Sequence, residues 1–272
     1  MSELDMLRAL VLVSVVVAPL VTRLLGELPR GWFVAYVLAV VSVAVGLFVE
    51  PLLAFAWPLF CAANFAAFLW PRRSRVFTLA TLAGSVPFAF SLVAATWIVG
   101  GTNDLGILGY GPHFSFYAAL HGNVLGWMLV GAIAALTARE RPRQRLYAAA
   151  VFVCFVSFLM VALGIDRLAL LKPIGVAGLT IALPVAQLAF LREAWRTNRA
   201  AFAAGGVSVA ALAFTLVLAW QNELAVLSLG TIGGIRAMVV VHGVVNTLIV
   251  GPAMLAAVWL DSRARRAVRD RR

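Results

Sequence analysis

Apolar runs of bilayer-spanning length follow one another almost without pause along the chain, and arginine falls mainly in the short breaks between alternate runs. About 18–20 apolar residues cross a bilayer as a helix, so this pattern predicts an all-α, polytopic transmembrane helical bundle. Composition agrees. The 272 residues are 63% hydrophobic and 12% charged, with a mean hydropathy of +1.00, where a soluble domain carries about a quarter charged residues.

Nine spans fit the pattern, at 6–25, 31–49, 51–70, 76–99, 113–138, 146–164, 170–191, 200–219 and 234–260, with a basic tail at 261–272. Little more than Glu50-Pro51 separates the second from the third. Proline cannot continue the preceding hydrogen-bond ladder, which predicts a tight turn; a long bent helix is the alternative and makes the count eight. Pro58, Pro87, Pro173, Pro184 and Pro252 predict kinks. The acidic start, Met1-Ser-Glu-Leu-Asp-Met-Leu-Arg8, reads as the lead-in to a retained first helix rather than a signal peptide.

Four basic clusters give the orientation: Arg72, Arg73 and Arg75; Arg139, Arg141, Arg143 and Arg145; Arg192, Arg196 and Arg199; and Arg263, Arg265, Arg266, Arg269, Arg271 and Arg272. With nine spans these share one side with Arg23 and Arg30. By the positive-inside rule that side is cytoplasmic, which places the N-terminus out and the C-terminus in. The net charge of +11 is explained by topology and lipid headgroups, and nucleic acid is not an expected partner. Cys61 and Cys154 lie inside apolar runs without metal-ligand spacing and read as small buried hydrophobes.

The informative polar residues lie toward the other side. Gly109-Tyr-Gly-Pro-His-Phe-Ser-Phe-Tyr-Ala-Ala-Leu-His-Gly-Asn-Val-Leu-Gly-Trp127 leads from a loop into the fifth span. His113, Tyr117 and His121 are four apart and stack on one helical face. A second phrase, His242-Gly-Val-Val-Asn246, lies in the ninth span, with Asn246 on the face of His242. At about 1.5 Å per residue, His121 lies roughly 12 Å below His113, and His242 roughly 9 Å below Arg236. The two histidines therefore share a depth in the outer half. The glycine after each permits close helix approach.

Polar residues in a membrane interior usually face protein or a water-filled cavity. The expected site is an outward-opening pocket. His121, His242 and Asp104 are its candidate catalytic residues. His113, Tyr117, Asn123, Trp127, Arg236, Asn246 and Asn64 are its candidate binding residues, although Asn123, two positions from His121, points elsewhere. Glu50, Asp166 or Glu223 are further carboxylates able to close over it. The plain alternative is that these side chains only hydrogen-bond neighbouring helices, at about 0.6–2 kcal/mol each.

Histidine titrates near neutrality and serves as general base or general acid. The first functional expectation is a membrane enzyme that isomerises or cyclises a lipophilic small molecule without a cofactor. The second is a small-molecule permease using the same pocket. Its support is the recurrence of His-Gly 121 residues apart, with Val130-Gly131 and Val250-Gly251 beyond, a hint of a parallel repeat. No Gly-Lys-Ser/Thr stretch suits ATP-driven transport. The third is a structural or haem-binding subunit, with the two histidines as axial ligands. Two histidines alone are thin for zinc, and no metal site is expected. The partners are the substrate and membrane lipid, and the oligomeric state is not fixed.

Around Ala118-Ala-Leu-His121-Gly-Asn-Val-Leu-Gly-Trp127 the chain resembles the YndJ-like family of bacterial membrane proteins. Its members carry a phrase like Thr-Ala-Val-His-Phe-His-Tyr-Ala-Gly-Phe, and many have a later His-Gly-x-x-Asn. His121 and Gly126 stand in that pattern and Trp127 replaces an aromatic residue. The second histidine of the phrase is Asn123 here, which removes an imidazole that a metal or proton-relay role would use. The resemblance covers the middle and last helices, about a fifth of the chain, and implies a multi-pass protein of the bacterial plasma membrane.

Overall fold

The computed structural model describes residues 2–137, 143–224 and 230–269, the side chains of Val268 and Arg269 excepted. Of the basic clusters, Arg139, Arg141, Arg271, Arg272 and the Arg269 side chain lie outside the described residues. Among those described, nine apolar helices follow in order: α1 (Glu3–Leu25), α2 (Trp32–Phe48), α3 (Pro51–Arg75), α4 (Leu79–Thr102), α5 (Pro112–Ala135), α6 (Gln144–Asp166), α7 (Leu171–Thr197), α8 (Arg199–Glu223) and α9 (Val239–Ala267). Eight have the length and composition to cross a membrane. The ninth, α2, has 17 residues, the short limit of about 17–25 for a spanning helix. The chain is a multi-pass, all-α membrane bundle.

The junction at Glu50-Pro51 is a tight turn. Helix α2 ends at Phe48, Glu50 is extended (φ −127°, ψ 93°), and Pro51 opens a 3-10 turn that leads into α3. A side chain at Gly46 would come within 2.7 Å of Ala54 N, so glycine lets the two helices fold back on each other. The contacts at the helix ends alternate as nine crossings require. At one end Asn103 donates to Pro51 O, Tyr110 to Asp166, and Lys172 pairs with Glu223 at 2.6 Å. Burial first, and then the Asp166 carboxylate, push the Tyr110 hydroxyl above its ordinary pKa.

At the opposite end Arg72 donates to Leu25 O, Arg143 pairs with Glu193 at 3.3 Å, and Arg265 and Thr197 both donate to Asp261. This is where the described arginines of the basic clusters gather. Glu193 and Asp261 are nearly or fully buried there, and they tie α6, α7 and α9 together.

The helices run through Pro87 and Pro184. Other stretches depart from α-helical hydrogen bonding. Around Pro19, α1 tightens into a 3-10 turn at Ala18–Val21. Helices α5 and α9 widen into π-helix at His121–Val130, Val239–Gly243 and Asn246–Val250. Such wide turns recur at functional sites, and here they contain His121, His242 and Asn246.

One boundary differs from the sequence expectation. The last span starts at Val239, not at 234, because residues 231–236 form a hairpin of β1 (Thr231–Ile232) and β2 (Ile235–Arg236). Gly233 and Gly234, at φ 59° and 80°, supply the two positive-φ positions of its turn, as a two-residue hairpin loop requires. Arg236 therefore lies on a strand beside the helix and not a measured rise above His242. Replacing Gly234 with valine puts a β-branched residue at positive φ, and is expected to cost about 1–2 kcal/mol in detergent thermal unfolding.

Candidate functional site

Helix α5 is the most buried of the eight long spans, and its sequence explains why. Glycines meet its neighbours: a side chain at Gly122 would come within 2.8 Å of the Ala94 side chain, and one at Gly126 would collide with the Phe90 ring. From Phe116 to Thr137 every residue is buried or half-buried except His121. An exposed imidazole on an otherwise enclosed apolar helix is costly unless it meets protein, ligand or water.

What His121 meets is His242. The two ring centres are 6.3 Å apart with planes inclined by 30°, so α5 and α9 are adjacent at this depth. His121 Nδ1 lies 2.8 Å from the carbonyl oxygen of Tyr117, and His242 Nδ1 lies 3.2 Å from that of Thr215. A carbonyl oxygen only accepts, so each Nδ1 carries the hydrogen. In the neutral form each Nε2 is then a bare acceptor, and the backbone fixes the tautomer of both rings. Thr215 of α8 also donates its hydroxyl to Asn246 Oδ1 at 3.0 Å, so one threonine positions both polar residues of the α9 phrase.

One helical turn toward the start of α5, Tyr117 enters a second group. Its hydroxyl donates to Glu3 Oε1 at 2.6 Å and accepts from Arg236 Nη2 at 2.8 Å. Arg236 Nη2 also donates to Glu3 Oε1 at 2.7 Å, and its Nε to Glu3 Oε2 at 3.3 Å. The guanidinium stands 5.5 Å from the Tyr117 ring centre. The Glu3 carboxylate holds the Arg236 proton more firmly than usual, raising its pKa.

The remaining expected residues are elsewhere. His113 is exposed two turns from His121 on α5. Asp104 is exposed, with a left-handed backbone (φ 49°), and among the described residues its side chain makes no hydrogen bond or ion pair. The carboxylate bonded into the column of Tyr117 and His121 is Glu3. Asn123 is fully buried on another face of α5 and donates to Ser14 of α1 at 3.1 Å. Trp127 is fully buried against Trp57, with ring centres 6.0 Å apart. Asn64 accepts from Trp32 Nε1 at 2.6 Å. These three pack α5 and α3 against their neighbours, away from the histidine pair. No three histidine, cysteine or carboxylate groups converge as a metal site among the described residues, and both cysteines are free and buried.

Two residues at the site escaped the sequence reading. Glu3 was legible only as part of an acidic lead-in, and Thr215 as an isolated polar residue in Ala-Leu-Ala-Phe-Thr-Leu-Val-Leu-Ala. Helix adjacency, which residue spacing does not encode, brings both to the pair.

The model of the family described as YndJ-like protein matches residues 8–250, most of the chain. The chain belongs to the YndJ-like family. The match runs from α1 into α9 and takes in both His-Gly phrases, so the likeness of this YndJ-like protein extends far beyond the fifth of the chain on which the short phrases bear. No curated protein matches this YndJ-like chain, and no solved structure does.

Proposed function

We propose that this protein is an enzyme of the bacterial plasma membrane, with its basic end in the cytoplasm, that isomerises or cyclises a lipophilic small molecule by acid–base chemistry at His121 and His242. The observation that carries this reading is the pairing of two imidazoles, each with Nδ1 committed to a backbone carbonyl and Nε2 left to react. Two such groups with one added proton form a complementary acid and base. In an isomerisation the neutral Nε2 takes a proton from carbon. The electron pair forms the new double bond, and the protonated partner returns a proton at the far end. The two rings have then exchanged roles, and nothing is oxidised or reduced. Tyr117 and Thr215 position the rings, and Asn246 is placed beside them by Thr215.

The test is mass spectrometry of the small molecules that co-purify with wild type, His121→Ala and His242→Ala protein, with an absorption spectrum and turnover in detergent. The expected result is an apolar molecule held by wild type, lost from both variants, and converted without any gradient. Binding with no conversion in detergent, but uptake into sealed vesicles, makes the protein a permease and overturns the enzyme reading. A Soret band lost with either histidine overturns the cofactor-free mechanism. Nothing bound, with both variants as stable as wild type, leaves a structural protein.

A further inference from the structure

Tyr117 and Arg236 form an anion cradle, and Glu3 fills it. Three donors, the Tyr117 hydroxyl and the Arg236 Nε and Nη2, converge on the two oxygens of one carboxylate. A guanidinium recognises a ligand carboxylate or phosphate by the same forked geometry. Arg236 is 64% exposed in its side chain, so a ligand can reach it, whereas Glu3 is 18% exposed. Arg236 is carried by a glycine-turned hairpin rather than fixed within a helix. Other cations at this end are differently placed: Arg8 stands beside Asp5 and over the Phe116 ring, Arg167 pairs with its neighbour Asp166, and Lys172 with Glu223. Among the described residues, Tyr117 links a cation to the histidine pair, because its carbonyl holds His121 while its hydroxyl holds Arg236.

We infer that the molecule acted on at His121 and His242 is an amphiphile with an anionic head, a carboxylate or a phosphate, which takes the place of Glu3 on Arg236 and Tyr117 and sets its apolar chain against the two imidazoles. This rests on the acid–base reading of the pair. Tyr117 and His121 are one turn apart on α5, about 6 Å of helical rise, so the head and the reacting carbons belong to the same end of the molecule. Glu3 neutralises Arg236 while no ligand is bound. It also sets the selectivity, because a neutral amphiphile gains nothing by displacing it.

The experiment measures binding of radiolabelled palmitate and palmityl alcohol to purified protein in non-ionic detergent, using wild type, Glu3→Gln, Arg236→Gln and His121→Ala/His242→Ala. Palmitate should bind wild type more tightly than the alcohol. Glu3→Gln should widen the difference, and Arg236→Gln should abolish it by weakening palmitate about tenfold or more, the size of a charge-assisted contact. Thermal midpoints identify variants that fail to fold, and the isosteric Glu3→Gln is informative even where Arg236→Gln is not. Equal binding of acid and alcohol, or no gain from Glu3→Gln, overturns the inference. If acid and alcohol bind equally but both are lost in the double-histidine variant, the acid–base centre stands without the cradle. If the acid is preferred and the histidine changes leave it untouched, the cradle stands and the centre falls. Displacement of palmitate by dipalmitoyl phosphatidate, but not by dipalmitoyl phosphatidylcholine, assigns the head to a membrane lipid. Its absence assigns a free single-chain acid.

Discussion

His121→Ala is expected to lower turnover of the bound molecule by about 10²–10⁴, the contribution of a positioned general acid or base. His242→Ala should cost as much, and the double variant little more than either single change, because residues that act as a unit are strongly non-additive. The signature of this centre is that non-additivity. Two independent structural hydrogen bonds would instead give changes that add. His121→Asn is the informative control, since an amide can keep a hydrogen bond to the Tyr117 carbonyl without supplying a titratable nitrogen. Asn should therefore match wild type in thermal stability and Ala in turnover. Single-turnover rates and unfolding midpoints of wild type and the four variants, measured together, check both statements.

Gly175→Leu is expected to be the most damaging single change to the bundle, at about 3 kcal/mol. Helices α6 and α7 pack closely along their length. A side chain at Gly175 would collide with the carbonyl oxygen of Ser157 and come within 2.9 Å of Val161 N. Backbone atoms cannot swing aside as a flexible side chain does, so the helices must separate along their length. Small residues drive close packing inside membranes because no hydrophobic effect acts between helices there. Gly206, by contrast, faces open space, and Gly206→Leu should leave the unfolding midpoint nearly unchanged. Propensity favours leucine over glycine at both positions, so similar losses at the two would show that the backbone contact at Gly175 does not set the cost.

Nine helices were readable because apolar length, proline at position 51 and the alternation of arginine clusters are all local signals. The shared depth of His121 and His242 followed from spacing along two helices of like orientation. Their contact did not, since sequence carries no record of which helices are neighbours. The same limit governs the binding residues. Asn64, Asn123 and Trp127 are polar or amphipathic residues inside spans, yet they turn into α2, α1 and α3. Arg236 was assigned to a helix although Ile-Gly-Gly-Ile is a hairpin signal in its own right. Glu3 lay outside the span expected to begin at residue 6, and an acidic residue before a membrane helix is ordinary.

The Glu3–Arg236 pair also bears on how the molecule comes into being. Its two halves are 233 positions apart, at the first turn of the first helix and just before the last. During synthesis α1 enters the membrane long before its ionic partner exists, and Glu3 waits at the interface with its charge uncompensated by Arg236. The cradle closes only when the ninth helix arrives, and the histidine pair is completed by that same event. The proposed centre is thus absent from any intermediate in which the last helix has yet to insert. The last helix to insert completes both the ion pair and the histidine pair.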